Sequence, residues 1–126
     1  MKYIYILSFA TISCIYVFSN ENNVSNENNV STDSEKLCFA ILEKNVKYCI
    51  AIESHDHKSA CFGIVKQNTG YCDMVKDMDF KNKCLAIALD DISACNKIRD
   101  KELKASCITF YTKITKDIYT QDDCTP

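Results

Sequence analysis

Residues 61–87 read CFGIVKQNTGYCDMVKDMDFKNKCLAI, and Cys61 and Cys84 each open a similar four-residue sequence within them. Cys72 follows the first of these cysteines by 11 residues and precedes the second by 12. The alternation of 11 and 12 continues in both directions, so the chain carries a 23-residue repeat with two cysteines per unit. A fixed period is typical of units that each bury a face against their neighbours. The cysteines of the pattern are Cys38, Cys49, Cys61, Cys72, Cys84, Cys95 and Cys107.

The spacing of apolar residues predicts that each unit begins inside a helix. Cys61, Ile64 and Val65 stand at positions i, i+3 and i+4, and the other units share this pattern. Only two glycines and one proline occur in 126 residues, far fewer than a hairpin fold needs. We therefore predict an all-α protein, a short disulfide-stapled α-helical repeat array that resembles an α-solenoid.

Polar residues in register mark the predicted helix starts. The segment Thr32-Asp-Ser-Glu35 matches a capping box. Ser54, Asp77 and Asp100 hold equivalent positions ahead of the later long helices, so we interpret them as helix caps rather than catalytic groups. Two residues after the first cysteine of a unit the side chain is small, which predicts a close approach between helices. The residues at this position are Ala40, Gly63 and Ala86.

The N-terminal residues predict export. Residues 1–19 have the layout of a cleaved signal peptide, and residues 20–33 read as a disordered spacer ahead of a disulfide-rich domain at 34–126. An uncleaved anchor and a lipoprotein signal ending at Cys14 are the alternatives. Asn23 and Asn29 lie in glycosylation sequons. The expected location is secreted or otherwise extracytoplasmic, without membrane attachment after cleavage.

Removal of the leader leaves eight cysteines, an even number that predicts disulfides in an exported chain. We favour pairing within each unit, because that scheme uses every cysteine in a local loop. Pairing across units is the alternative, and it leaves Cys38 and Cys124 to join the chain ends or stay free. The favoured pairs are Cys38–Cys49, Cys61–Cys72, Cys84–Cys95 and Cys107–Cys124.

The sequence offers little sign of catalysis or cofactor binding. His55 and His57 are the weak candidates for metal ligands, but a catalytic zinc needs a third ligand and a sheltered pocket. No nucleophile elbow or phosphate loop is recognisable, and the formal net charge of −2 argues against nucleic acid. We expect a protein that is not an enzyme and holds no cofactor or metal.

Tyr48 and Tyr71 share one position of the repeat, and Phe39 and Phe62 share another. Both positions are consistent with a buried core. If the tyrosines are partly exposed, they are candidates for an interaction surface, because tyrosine is well suited to interfaces.

The recurrent Cys-[Phe/Leu]-[Ala/Gly]-Ile sequence, with a second cysteine followed three residues later by Ile or Val, covers residues 36–110. It resembles the tandem cysteine-containing helical repeats of uncharacterised exported proteins from archaea and bacteria. That resemblance implies an architecture and no activity. The leading hypothesis is an extracytoplasmic module that binds an unknown protein or other macromolecule. A secreted effector or enzyme inhibitor is the alternative, and a metal-sequestering protein is a third.

Overall fold

The computed structural model describes residues 31–125, and all regular structure in this part of the chain is helical. Long and short α-helices alternate, and a short 3-10 helix follows the last long one. The all-α prediction is therefore confirmed. The long helices are α1 (Asp33–Glu43), α3 (His55–Val65), α5 (Met78–Ala88) and α7 (Lys101–Thr115); the short ones are α2 (Val46–Ile50), α4 (Thr69–Asp73) and α6 (Ser93–Asn96), and the 3-10 helix is Gln121–Cys124.

The predicted capping residues lie where the long helices begin. Thr32 and Glu35 form the capping box of α1. Ser54, Asp77 and Asp100 each accept a hydrogen bond from the backbone N–H three residues later, at the starts of α3, α5 and α7. These bonds satisfy N–H groups that have no partner inside the helix. The prediction that this column caps helices is confirmed.

Each of the four long helices is followed by a residue in the left-handed conformation, with φ of 51° to 55°. The next residue then donates its N–H back to a carbonyl five positions earlier, which satisfies a carbonyl at the helix end. None of these residues is glycine, so each carries the steric cost of a side chain in this conformation. They are Lys44, Gln67, Asp90 and Asp117.

A second polar column ties each long helix to the segment that starts the next one. The carboxylate of Asp56 accepts the backbone N–H groups of Lys76 and Asp77, at 2.9 and 3.1 Å. Asp33 and Asp79 make the same pair of bonds one unit earlier and one unit later. These backbone hydrogen bonds hold the pKa of all three carboxyls below the ordinary value.

Long helices pack against the next long helix in chain order, with α1 on α3, α3 on α5 and α5 on α7. Each short helix contacts the long helices on either side of it. The most deeply buried large side chains include Ile52 and Ile98, which follow the cysteines of α2 and α6, and six half-cystines. The cysteines therefore form much of the core as well as cross-linking it. That the repeat units stack into an α-solenoid stays a prediction.

The disulfides cross from one unit to the next, so the favoured pairing within units is wrong. Three bonds join cysteines 12 residues apart, and the fourth joins residues 86 apart near the two ends of the domain. The Cα atoms of the bonded pairs lie 5.3 to 5.7 Å apart, as in ordinary disulfides. The bonds are Cys49–Cys61, Cys72–Cys84, Cys95–Cys107 and Cys38–Cys124.

Gly63 lies in close contact with the Cys72–Cys84 disulfide. A Cβ atom added there would lie 2.8 Å from the sulfur of Cys72 and 2.9 Å from that of Cys84. The sulfur of the short helix therefore passes over the small residue of its own unit and reaches the next long helix. The small residue in this column was predicted to let helices approach closely. At Gly63, the space it leaves accommodates a disulfide bond.

The segment after α7 returns the chain to the first helix. Its 3-10 helix contacts α1, and Cys124 there bonds to Cys38. The six extra residues before Cys124 supply the length for this return. The irregular last cysteine of the repeat thus joins the two ends of the domain, which is one of the outcomes left open by the cross-unit scheme.

Candidate functional site

A cavity of 410 Å³ lies along the four long helices and the C-terminal segment. Each helix contributes residues three or four positions apart, so one face of every long helix points into it. The volume is within the range of small-molecule sites, which are mostly apolar with a few convergent polar groups. Its larger apolar side chains are Leu37, Ile41, Ile64, Phe80, Leu103 and Phe110, and its polar ones are Ser34, His57, Lys83, Ser106, Tyr119 and Asp123.

The lining follows the 23-residue register. His57, Phe80 and Leu103 are equivalent residues of successive units, and all three line the cavity. The same holds for a second column, which contains Lys83. In a third column, three of the four residues line the cavity, namely Ile41, Ile64 and Phe110. The cavity is therefore built largely from equivalent faces of the four long helices, and most of its side chains differ from one repeat to the next.

Lys83 is the main cationic group of the cavity. Its partly buried ammonium Nζ donates to the hydroxyl of Ser106 at 3.3 Å and lies 5.3 Å from the ring centre of Phe110. Burial lowers the pKa of Lys83. Within residues 31–125 no carboxylate lies within 4 Å of this nitrogen. The charge is thus directed into the cavity without an acidic partner.

The C-terminal segment forms one wall. The ring of Tyr119 packs edge-on against Phe110 at 5.0 Å, and its hydroxyl donates to the sulfur of Cys38. Burial, with a smaller contribution from the charge of Asp123, raises the pKa of Tyr119 to about 12. Asp123 is held by Lys113 and by the N–H of Thr120, which lower the pKa of its carboxyl. The charge of Asp123 is therefore already paired with that of Lys113.

The two histidines are not brought together. His57 lines the cavity, with Nδ1 at 3.1 Å from the Ser54 hydroxyl and Nε2 at 3.5 Å from that of Ser34. His55 is exposed and lies beside Asp56, 3.4 Å from its carboxylate. Within the part of the chain that the structure describes, no three His, Cys, Asp or Glu side chains are grouped to hold a metal ion. His57 is therefore a polar wall residue.

The tyrosine column lies away from the cavity. Tyr48 and Tyr71 are partly exposed, and each pairs with the phenylalanine of its own unit at ring distances of 6.0 and 5.5 Å. A hydrogen bond with Glu43 raises the pKa of Tyr48. The ammonium of Lys66 lies over both rings of the second pair, at 5.1 and 5.4 Å. The rings of this column are therefore only partly buried, and its role as an interaction surface stays a prediction.

Sequence reasoning did not identify the cavity or Lys83. A signal was present, because Lys83 is the one charged residue in a column otherwise occupied by Leu37, Ala60 and Ser106. This column lies one position before the first cysteine of each unit, within the amphipathic pattern that was interpreted as core packing. The glycosylation sequons at Asn23 and Asn29, the signal peptide and Cys14 lie outside the described residues.

The chain matches no protein-family model, no curated protein and no solved structure. Its function must therefore be argued from the site itself. None of the helices in residues 31–125 is both long enough and apolar enough to span a membrane.

Proposed function

We propose that the protein is an exported, non-enzymatic binding module that holds its ligand in the cavity between the long helices. The observation that carries this proposal is the cavity itself, 410 Å³ in volume, with a lining that is more apolar than polar and that contains several convergent polar groups. Four disulfides fix the helices around it. Such cross-linking supports a location in an oxidising compartment, outside the cytoplasm.

The polar groups of the cavity support binding rather than catalysis. Both ring nitrogens of His57 are close to serine hydroxyls of the scaffold, and Asp123 is held by a lysine. A general base must instead reach a proton on the substrate. A helical framework of this rigidity also reduces the entropy lost on binding, because little has to be ordered.

The neutral fluorophore N-phenyl-1-naphthylamine tests the proposal. We expect its fluorescence to rise on titration with the disulfide-bonded protein and to saturate at one probe per chain. Ser106→Trp, placed at the exposed rim of the cavity, should block this rise. Ala105→Trp is the matched control, because Ala105 is exposed on the same helix but does not line the cavity. Equal probe binding by the two variants would contradict the proposal.

The aromatic pairs favour a second role, contact with a macromolecular partner outside the cytoplasm. Tyr48 and Tyr71 present partly exposed rings in the same register, and aromatic residues of this kind are frequent at interfaces. A photo-crosslinking amino acid at Tyr71 should capture one defined species from native extracellular fluid. The same group at Gln67, an exposed residue in the segment between α3 and α4, is the control. Identical capture from both positions would argue against this role.

A further inference from the structure

The position of Lys83 in the repeat shows that its charge is not required by the fold. Three units place Leu37, Ala60 and Ser106 at the equivalent position, and all four residues line the cavity. The long helices on either side of α5 therefore contribute a small residue in this register, which leaves room for the lysine side chain. A lysine that enters an apolar cavity loses hydration that an alanine or leucine would not lose.

The protein compensates this loss only in part. The Ser106 hydroxyl accepts one hydrogen bond from the ammonium, and the face of Phe110 lies 5.3 Å from it. The carboxylate that lines the same cavity, Asp123, is paired with Lys113 instead. Buried cations are ordinarily paired with an anion. Within the described residues, the cavity supplies a cation, Lys83, but no carboxylate that pairs with it.

We infer that the cavity takes an amphiphilic ligand with a single negative charge, its carboxylate on the Lys83 ammonium and its hydrocarbon chain against the apolar side chains. One cation with one hydroxyl beside it matches one monoanion. The chain would lie against Ile41, Ile64 and Phe80, which form the apolar walls. The inference rests on the proposed function, since it specifies the ligand of the same cavity.

Displacement of N-phenyl-1-naphthylamine by decanoate and by 1-decanol tests the head group, because the two share a chain and differ in charge. We expect decanoate to displace the probe at a concentration about tenfold lower, the factor that a charge-assisted hydrogen bond contributes. Decyltrimethylammonium should be the weakest competitor. Lys83→Met should remove the preference for decanoate, and Lys83→Arg should keep it.

Lys81→Met is the control, because Lys81 lies on the same helix, pairs with Asp73 and does not line the cavity. It should retain the preference for decanoate. Thermal unfolding adds a second measurement: Lys83→Met should melt at the same or a higher temperature, since it removes a partly buried charge that has no acidic partner.

The outcomes separate this inference from the proposed function. Probe binding that Ser106→Trp blocks, with decanoate and decanol equally effective, would overturn the charged head group and leave the cavity as a binding site. A preference for decanoate that survives in Lys83→Met would also overturn it. Failure of the neutral probe to bind the wild-type protein would overturn the proposed function and this inference together.

Discussion

Replacement of cysteine pairs gives a direct test of the cross-unit disulfides. Cys61→Ala with Cys72→Ala removes one partner from each of two bonds, so Cys49 and Cys84 should be left as free thiols. Cys72→Ala with Cys84→Ala is the matched control, because it removes both partners of a single bond and leaves no free thiol. The two variants carry the same number of changes.

The expected losses of stability follow from loop length. Each bond across 12 residues contributes about 3 kcal/mol in the loop-closure model, so the control should lose about 3 kcal/mol and the first variant about 6 kcal/mol. The bond across 86 residues closes an effective loop of about 50 residues while the other three are intact, and its removal should cost about 4 kcal/mol. A loss of about 6 kcal/mol is close to the whole stability of many domains.

The assay counts thiols and so does not require the variant to fold. Each protein is alkylated in denaturant without reductant, since the orphaned sulfurs are buried in the native state, and then weighed by mass spectrometry. We expect two alkyl groups, or their mixed-disulfide equivalents, on the first variant and none on the control. No label on the first variant with two on the control would refute the cross-unit assignment and restore pairing within units.

Two further predictions concern the backbone. Asp56→Asn should lower the melting temperature at pH 7, whereas Glu102→Gln, at the equivalent position of the last unit, should leave it unchanged. Because the pKa of Asp56 is lowered in the folded state, its contribution is present above the unfolded value of about 3.9 and is lost as the pH falls through the folded one. Wild type and Asp56→Asn should therefore converge in acid, and a difference that does not shrink as the pH falls below about 3.9 would contradict this. Gln67→Gly should raise the free energy of unfolding by about 0.5 kcal/mol, since φ is 51° there, while Lys66→Gly, at φ −87°, should lower it by about 0.5 to 1 kcal/mol in urea denaturation. Equal effects of the two glycines would show that the left-handed conformation carries no cost.

Local features of the fold could be predicted from the sequence because they depend on neighbouring residues. The caps at Ser54, Asp77 and Asp100 satisfy N–H groups three positions away. The helical pattern around Cys61 is equally local, because its apolar residues lie three and four positions apart, about one helical turn. The capping box of Thr32 and Glu35, where the first helix begins, is a local signal of the same kind.

Disulfide pairing and the cavity could not be predicted in this way, because both depend on how the side chains of different units are oriented towards one another in the folded protein. Cysteine spacings of 11 and 12 residues close loops of nearly equal entropy, so length does not distinguish the two partners of Cys72. The packing of the folded helices does, because it brings the Cα atoms of Cys72 and Cys84 to 5.6 Å from each other. The charge of Lys83 became informative only once its column was known to face the cavity.

The bond between Cys38 and Cys124 closes residues 38–124 into a covalent ring of backbone and one disulfide. An extracellular protease that cuts once anywhere between these residues opens the ring without releasing a fragment, because both new ends remain attached through the disulfide. A piece can leave only after two cuts, which must lie either within the same 12-residue loop or both outside all three loops. The protein therefore keeps its helices at high local concentration after a first cleavage, which gives it tolerance to digestion in the surroundings to which we expect it to be exported.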